Sequence, residues 1–264
     1  MWAYVASAAL SIVPALLLLV VFVRIDQRRP EPWRTTVMTF ALGITASAPA
    51  AALQFAMHRA LGDAALVGGR LIDAVVVFAL TEELVKLAVV MLYSYRLSTF
   101  DEVMDGVLYA AVASLGFGLV ENVLYAFYDV RTGLLRAISA VPMHAVATGL
   151  MGYWIGRAKF VSRVSAVGLI ATGLGIAVFV HGLYDWVVFL HVDGWFALSC
   201  GVVASGGVVL ALFIRHALRM DDAMLGRESV TAMLHENWPR DIPQSIVPNA
   251  PVRPPTAPTP GERK

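Results

Sequence analysis

The sequence has little charge and almost no cysteine. Of its 264 residues only 15% are charged and 58% are hydrophobic, and the formal net charge is +1. Soluble domains usually carry about 25% charged residues, and nucleic-acid-binding domains carry a strong positive excess, so neither class is expected. Cys200 is the one cysteine, which excludes a disulfide within the chain and a zinc cluster made of cysteines.

The N-terminus of the sequence does not have the pattern expected of a cleavable signal peptide. Its N-terminus has no basic segment before the apolar run over residues 3–23, and Arg24, Arg28 and Arg29 follow that run directly. Signal peptides show the opposite order, with the basic segment first and a shorter apolar run. We therefore expect an anchoring span with its positive flank in the cytoplasm.

Long apolar runs dominate what is present. About 20 apolar residues are enough for a helix to cross the roughly 30 Å hydrocarbon core of a bilayer. The candidate spans cover residues 3–23, 35–57, 71–93, 105–128, 134–156, 164–190 and 195–215. The predicted fold is therefore all-α, a polytopic bundle of about seven transmembrane helices within a domain over residues 1–220, and the lipid bilayer is its expected environment.

Loop charges and proline content predict the orientation and the tail. With the N-terminus outside, the cytoplasmic loops hold ten lysines and arginines, whereas the outer loops and span edges, where Arg136 lies, hold four. This excess favours an N-out, C-in orientation. Residues 221–264 are rich in proline and lack apolar periodicity, so we expect a disordered cytoplasmic tail.

Ionisable and polar side chains interrupt four of these spans. A charge at mid-bilayer costs about 2.5–3.5 kcal/mol on insertion scales, so such residues usually face a bundle interior or a water-filled cavity. They are Glu82, Glu83 and Lys86 in the third span, Glu121 and Asn122 in the fourth, His144 and Thr148 in the fifth, and His181 and Asp185 in the sixth.

The spacing of these residues predicts one shared site. Pairs at i and i+4, such as His144 and Thr148, lie on one helical face. At about 1.5 Å per residue, Glu82, Glu121 and the two histidines lie roughly 10–18 Å below the outer ends of their spans. Four helices are therefore expected to bring carboxylates and imidazoles to one layer of the outer half of the bilayer.

Peptide hydrolysis is a chemistry that would use such a layer. It needs a base to activate water and donors to stabilise an oxyanion. Of the adjacent acids Glu82 and Glu83, beside Lys86, one can stay charged as the base while the other has a different protonation state. In this hypothesis His144 shares or relays the proton of the water, and His181 donates to the oxyanion.

Other interpretations stay open. His144, His181, Glu121 and Asp185 are acceptable zinc ligands, with Glu82 as base. The sequence has no HExxH motif, so a mechanism without a cofactor is preferred. A second class of function is a proton-coupled transporter or channel, because buried acids and histidines also form proton relays. The absence of inverted repeats and broken-helix signals counts against it.

Some polar residues are expected to have simpler roles. Gln54 is a single polar residue within a span and is expected to make a packing hydrogen bond. Asp73, Asp105 and Asp129 lie at span ends and are expected at the membrane interface, where polar groups contact headgroups and water. Asp105 has the alternative of belonging to the outer part of the site.

Four motifs in order resemble a known family. TEELVK, starting at Thr81, resembles the EExxK motif of the PrsW family of intramembrane proteases. Residues 100–125 resemble its second block, with FxxxE and EN elements, and MHAVATGLMG and HGLYDW resemble the third and fourth blocks. The resemblance covers residues 70–190 and includes the order and spacing of the blocks.

The resemblance implies a multi-pass protease of the bacterial cell membrane. Its substrate would be a single-span, membrane-anchored protein, and the activity that names the family is cleavage of an anti-sigma factor. The family is distantly similar to type II CAAX prenyl endopeptidases and bacteriocin-processing proteins. That wider likeness implies that Glu82 is the base, supported by Glu83. Descriptions of the family as glutamic proteases and as metalloproteases both exist.

The site residues are compared position by position with the pattern of the wider superfamily, which is EExxxR, FxxxH and HxxxN/D. Lys86 stands in place of arginine, and Glu121 stands where relatives have histidine, a role that His144 can take. His181 and Asp185 match the pair on the oxyanion side, and Asp185 donates a hydrogen bond there only when it is protonated.

Overall fold

The computed structural model describes residues 2–27, 29–61 and 70–236, and all regular structure within these ranges is helical. The α-helices are α1 (Trp2–Ile25), α2 (Trp33–Leu61), α3 (Thr81–Leu92), α4 (Val103–Tyr128), α5 (Val130–Ile138), α6 (Ala140–Ala158), α7 (Arg163–Leu190) and α8 (Trp195–Glu236). A π-helix over Asp73–Leu80 leads directly into α3, and a short 3₁₀ turn, Ser94–Arg96, follows it. The predicted all-α class is confirmed.

Five helical segments are long and apolar enough to cross a membrane. They are Trp33–Ala60, Val103–Tyr128, Val130–Ala158, Arg163–Leu190 and Trp195–Gly226. Ile12–Ile25 is a shorter apolar stretch of α1. The predicted third span contains the π-helix and the charged start of α3, and it is not among the five. The count of seven spans and the N-out orientation therefore stay predictions.

Helix α4 is the central element of the bundle. It packs against α1, α2 and α6, while α7 covers α6 and the π-helix. In α4 89% of the most apolar window is buried, against 17% in α7. Small residues allow the closest approach: a Cβ added to Gly106 of α4 would lie 2.3 Å from the carbonyl oxygen of Gly152 in α6. Such glycine contacts are typical of helices packed within a membrane.

The C-terminal part is a compact unit of its own. The chain forms two compact units, residues 1–219 and 220–264. Helix α8 continues to Glu236, past residue 221 where the disordered tail was expected to begin. Residues 221–236 are rich in Ala, Met, Leu and Glu and contain no proline, a composition that favours helix. The rest of the tail, 237–264, lies outside the described residues, and its disorder stays a prediction.

Candidate active site

Three helices supply one buried cluster of ionisable side chains. Glu82, Glu83 and Lys86 lie in the first turns of α3 and are 2%, 0% and 0% exposed, and His144 in α6 and His181 in α7 are each 1% exposed. The π-helix leads directly into the two glutamates. π-Helical segments are rare and are frequent at functional sites. The cluster therefore forms where the regular helix geometry is interrupted.

Glu82 lies between the two histidines. Its Oε2 atom is 3.9 Å from Nδ1 of His144 and 3.7 Å from Nε2 of His181. Gln54 in α2 donates to Oε1 at 3.1 Å, and Lys86 donates to Oε2 at 3.3 Å. Two donors, one of them charged, favour the ionised form of a buried carboxylate. Glu82 is thus arranged as a base that faces two imidazoles.

Glu83 has a different environment from its neighbour. Its Oε1 atom accepts hydrogen bonds from Lys86 and from Nδ1 of His181, both at 2.9 Å. Its Oε2 atom accepts from the hydroxyl of Thr148 at 2.8 Å. All three donors are side chains of the protein, so Glu83 holds its neighbours in place and leaves the exposed face of the cluster to Glu82.

The contacts of His144 define its tautomer. Nδ1 lies 3.0 Å from the Lys86 ammonium, which can only donate, so Nδ1 accepts. Nε2 lies 2.9 Å from Oε2 of Glu121 and therefore carries the hydrogen. Phe117 packs against the imidazole with ring centroids 5.8 Å apart. A neutral imidazole in one fixed orientation follows from this set of contacts.

His181 presents one nitrogen to two acids. Nδ1 is bonded to Glu83, while Nε2 lies 3.3 Å from Oδ2 of Asp185 and 3.7 Å from Oε2 of Glu82. A bare lone pair at Nε2 would face two carboxylate oxygens and be repelled. The position therefore favours a proton or another cation at Nε2, and a protonated Nε2 is a donor for a developing negative charge.

A cavity of about 230 Å³ opens beside this cluster. Apolar and aromatic side chains of its lining include Phe78, Tyr125, Met143, Tyr184 and Val188. The charged or imidazole side chains of its lining are Glu82, Glu121, Arg136, His144, His181, Asp185 and His191. Because a water molecule takes about 30 Å³ of the liquid, the space suits several waters or a short stretch of peptide.

The structure brings together most residues that the sequence singled out. The residues in mutual contact are Glu82, Glu83, Lys86, Glu121, His144, Thr148, His181 and Asp185. Asn122 is buried in α4 but does not line the cavity. Thr148 contacts Glu83 and does not line the cavity, and it lies one turn from His144, as predicted.

Two contributors were not predicted as site residues. Gln54, expected to make a packing bond, donates to Glu82. Arg136, assigned to an outer span edge, lies in α5, where its Nη2 atom is 2.7 Å from Oε2 of Glu121 and its guanidinium lies 4.0 Å from the centre of the Tyr125 ring. The one sequence feature that could have indicated Gln54 as a site residue is its position as a polar side chain within an apolar run. No spacing rule predicts the contact of Arg136 with Glu121.

The expectation for Asp105 is wrong. This residue is 0% exposed rather than interfacial, because the connections before α2 and before α4 cover it. It also lies sixteen residues before Glu121 on α4, or about 24 Å along the helix, so it does not belong to the outer part of the site. Asp129, in contrast, is at the surface, where it caps α5 by accepting from Thr132.

The donor set fits a zinc ion. Glu82, His144 and His181 each place one ligand atom within 4.8 Å of the others, and two histidines with a carboxylate are a common catalytic zinc set. On its other ring nitrogen, His144 contacts Glu121 and His181 contacts Glu83, as zinc-bound histidines usually contact a carboxylate. The sequence analysis named Glu121 and Asp185 as the carboxylate ligands of zinc, whereas the carboxylate ligand in this set is Glu82.

Comparison with known proteins decides the family. The family model described as PrsW family intramembrane metalloprotease matches residues 31–215. The chain belongs to the PrsW family. The resemblance found in the motifs is thereby confirmed, and the chain is an intramembrane protease and a multi-pass protein of the bacterial membrane. The transporter hypothesis is not favoured.

Curated PrsW relatives cover most of the same region. Protease PrsW of Geobacillus kaustophilus is 34% identical over 178 residues, 67% of this chain and 77% of the relative. Protease PrsW of Bacillus subtilis is 29% identical over 184 residues, 69% of this chain and 83% of the relative. Protease PrsW of Oceanobacillus iheyensis is 31% identical over 178 residues, which are 67% of this chain and 80% of the relative. No solved structure matches the chain.

Proposed function

We propose that this PrsW family member hydrolyses a peptide bond in a membrane-anchored protein and that Glu82 activates the attacking water. The observation that supports this most directly is the position of Glu82, which borders the cavity between His144 and His181. Gln54 and Lys86 donate to it, so the carboxylate is held in a fixed position at the edge of the cavity.

The proton balance assigns the remaining roles. Glu82 takes a proton as the water oxygen adds to the carbonyl carbon, and it returns that proton to the leaving nitrogen as the C–N bond breaks. His181, held by Glu83 and Asp185, donates from Nε2 to the carbonyl oxygen as it gains negative charge. His144, oriented by Glu121, accepts from Lys86, which also donates to Glu82. A proton can therefore pass from Glu82 to Nδ1 of His144 through the ammonium group, which takes one proton as it gives another.

The walls of the cavity support a membrane-anchored substrate. The lining includes Phe78, Tyr125, Tyr184 and Val188, which suit the apolar side chains of a transmembrane segment. A helical substrate must unwind locally before its carbonyl is free to react, because helix carbonyls are already hydrogen-bonded. An anti-sigma-factor-like, single-span protein is the substrate class that the resemblance favours.

A zinc ion is the alternative that the donor set allows. Glu82, His144 and His181 would hold it, and it would polarise a carbonyl and make a bound water more acidic. Glu82 would then serve as a ligand. The acids bordering the cavity that remain to handle a proton are Glu121 and Asp185.

The test is cleavage of a tagged single-span substrate by the full chain in proteoliposomes. Glu82→Gln and His181→Ala are expected to lower the cleavage rate by about 10²-fold or more. Asp193→Asn is the matched control, because it makes the same acid-to-amide change at an exposed residue that does not line the cavity. Cleavage by both site variants at the wild-type rate would exclude the proposal.

Elemental analysis of the same preparation separates the two chemistries. Activity in metal-free, chelator-treated protein supports Glu82 as the base. Stoichiometric zinc that is lost in His144→Ala, together with activity that chelation removes and zinc restores, contradicts that role and makes Glu82 a ligand. Both outcomes leave the peptidase assay above as the independent test of the function itself.

A further inference from the structure

A second buried cluster of acids lies at the other end of α4. At this end of α4, the connection between α1 and α2 contacts the segment that precedes α4. The acids are Asp26, Glu31, Asp101, Glu102 and Asp105. Three of them are deeply buried, with exposures of 2% for Asp26, 6% for Glu102 and 0% for Asp105. Each of these three places one oxygen within 4.8 Å of the others.

Arg29 brings positive charge to this cluster. In the described part of the chain, Arg29 makes the ion pairs of both Glu102, at 2.8 Å, and Asp101, at 3.8 Å. The Arg29 side chain is 42% exposed, so much of its charge is screened by solvent. Screening therefore weakens the ion pairs that Arg29 makes with Glu102 and Asp101.

The hydrogen bonds of the Asp105 carboxylate are a second, independent indication that a ligand binds here. Its Oδ2 atom accepts from the backbone amides of Asp101 and Glu102 at 2.8 and 2.7 Å. Its Oδ1 atom is buried and receives no hydrogen bond from any residue of the described ranges. Next to it lies another acid, Glu31, which accepts the hydroxyl of Tyr109. A buried acceptor that faces an acid requires a proton or a cation.

We propose that Asp26, Glu102 and Asp105, with Glu31 beside them, bind a hard divalent cation, Mg²⁺ or Ca²⁺. The donors are all oxygens, which these ions prefer, and the group contains no imidazole or thiolate that would favour zinc. The ion joins the connection before α2 to the first turn of α4. At about 24 Å along α4 from Glu121, this site is separate from the catalytic cavity.

The experiment measures cation binding by the full-length protein in detergent after removal of metals. MgCl₂ and CaCl₂ are titrated while thermal unfolding is followed, and Mn²⁺ binding is measured by electron paramagnetic resonance. An ion that binds the folded state raises the unfolding temperature as its concentration rises. We expect this response in the wild type. The ion that raises the unfolding temperature more at equal concentration is the one that the site prefers.

Variants locate the ion. Asp105→Asn and Glu102→Gln are expected to weaken binding by about tenfold or more, since each removes one anionic ligand. Asp101→Asn is the matched control, because it changes a 57% exposed acid of the same segment outside the three-ligand group. It is expected to bind within about twofold of the wild type by the same reasoning. If Asp105→Asn fails to fold, Glu102→Gln and Mn²⁺ binding by the wild type carry the test.

Three results would overturn the proposal. The first is a wild type that neither binds Mn²⁺ nor responds to millimolar Mg²⁺ or Ca²⁺. The second is stabilisation by acid with no cation dependence, which indicates protons shared between the carboxyls. The third is loss of binding in Glu82→Gln with full binding in Asp105→Asn, which would move the ion to the catalytic cavity.

Discussion

The Nε2 atom of His144 lies 2.9 Å from the Oε2 atom of Glu121. This contact joins α4 to α6 within the site. A carboxylate at this position fixes the tautomer of the imidazole on the neighbouring helix. The acid at 121 and the histidine at 144 thus act as one unit, and Arg136 balances the charge of the acid.

The ion pair between Arg136 and Glu121 is expected to act through His144. Arg136→Gln and Glu121→Gln should each lower kcat by about tenfold, and the double variant should lose no more than the Glu121→Gln variant, because residues of one network are not additive. Initial rates over a range of substrate concentrations measure this. Arg131→Gln, an exposed change on the same helix, should leave the rate unchanged. Fully additive losses would show that the two residues act separately.

Gly118 provides the space that His144 occupies. A Cβ added at this position would lie 2.8 Å from the Cδ2 atom of His144, so Gly118→Ala should displace the imidazole. Because alanine favours helix by about 1 kcal/mol over glycine, we expect reduced cleavage without loss of thermal stability. Gly175→Ala is the control, since a Cβ there meets nothing within 4 Å. Equal activity of the two variants would contradict this role.

Gln54 is expected to position Glu82. Its loss removes one hydrogen bond to a charged group, worth about 1.5–3 kcal/mol, so Gln54→Ala should lower kcat by about tenfold or more and change KM little. Kinetics of the purified variants separate the two constants. Ser47→Ala on the same helix removes a bond to its own backbone, with Ile44 as acceptor, and should behave as the wild type. A change confined to KM would indicate substrate contact instead.

Thr148 is expected to matter for stability through Glu83. Thr148→Val keeps the shape but removes the donor to Oε2 of Glu83, which costs about 1–3 kcal/mol for a buried acceptor. Thermal unfolding of the detergent-solubilised protein measures the loss. Thr172→Val is matched to it, because Thr172 donates to the carbonyl of Gly168 within its own helix. Similar unfolding temperatures for both variants would refute the contribution of Thr148.

Asp129 gives α5 an acid-sensitive N-terminus. Hydrogen bonds from the hydroxyl and amide of Thr132 hold the pKa of Asp129 below its usual range. A group of this kind stabilises the folded form above its unfolded pKa, and the effect disappears as the pH falls through the folded pKa. Hydrogen–deuterium exchange of α5 should therefore rise at acid pH in the wild type and change less in Asp129→Asn. The same acid response in both proteins would rule out this cap as its cause.

Local rules were enough to predict from the sequence the helical class and the clustering of the ionisable residues of four spans. Apolar runs require helices, and the i, i+4 spacing of His144–Thr148 and His181–Asp185 places each pair on one face whatever the surroundings. The break between α5 and α6 was not predicted, because Ser139 interrupts the helix for a single residue within one apolar run over 134–156. A hydropathy average does not detect such a short interruption.

The contacts that were missed all depend on tertiary packing. Gln54 reaches Glu82 because α2 packs on α3, and Arg136 reaches Glu121 because α5 folds back on α4. Neither approach leaves a pattern along the chain. Asp105 was expected at the interface because span ends usually lie there, whereas the burial of its carboxyl depends on the connection that covers it. The sequence therefore predicted which ionisable residues come together. It did not predict the tertiary contacts that hold them in position.

The close contact of α4 with α6 at Gly106 and Gly152 restricts how the enzyme moves. Two helices with backbones in contact slide or separate only with difficulty, so Glu121 and His144, carried by these helices, keep their distance throughout a catalytic cycle. Entry of a substrate must then be accommodated by the elements around this rigid pair. Turnover is accordingly expected to follow the opening rate of those elements, as in enzymes limited by gating rather than by bond cleavage.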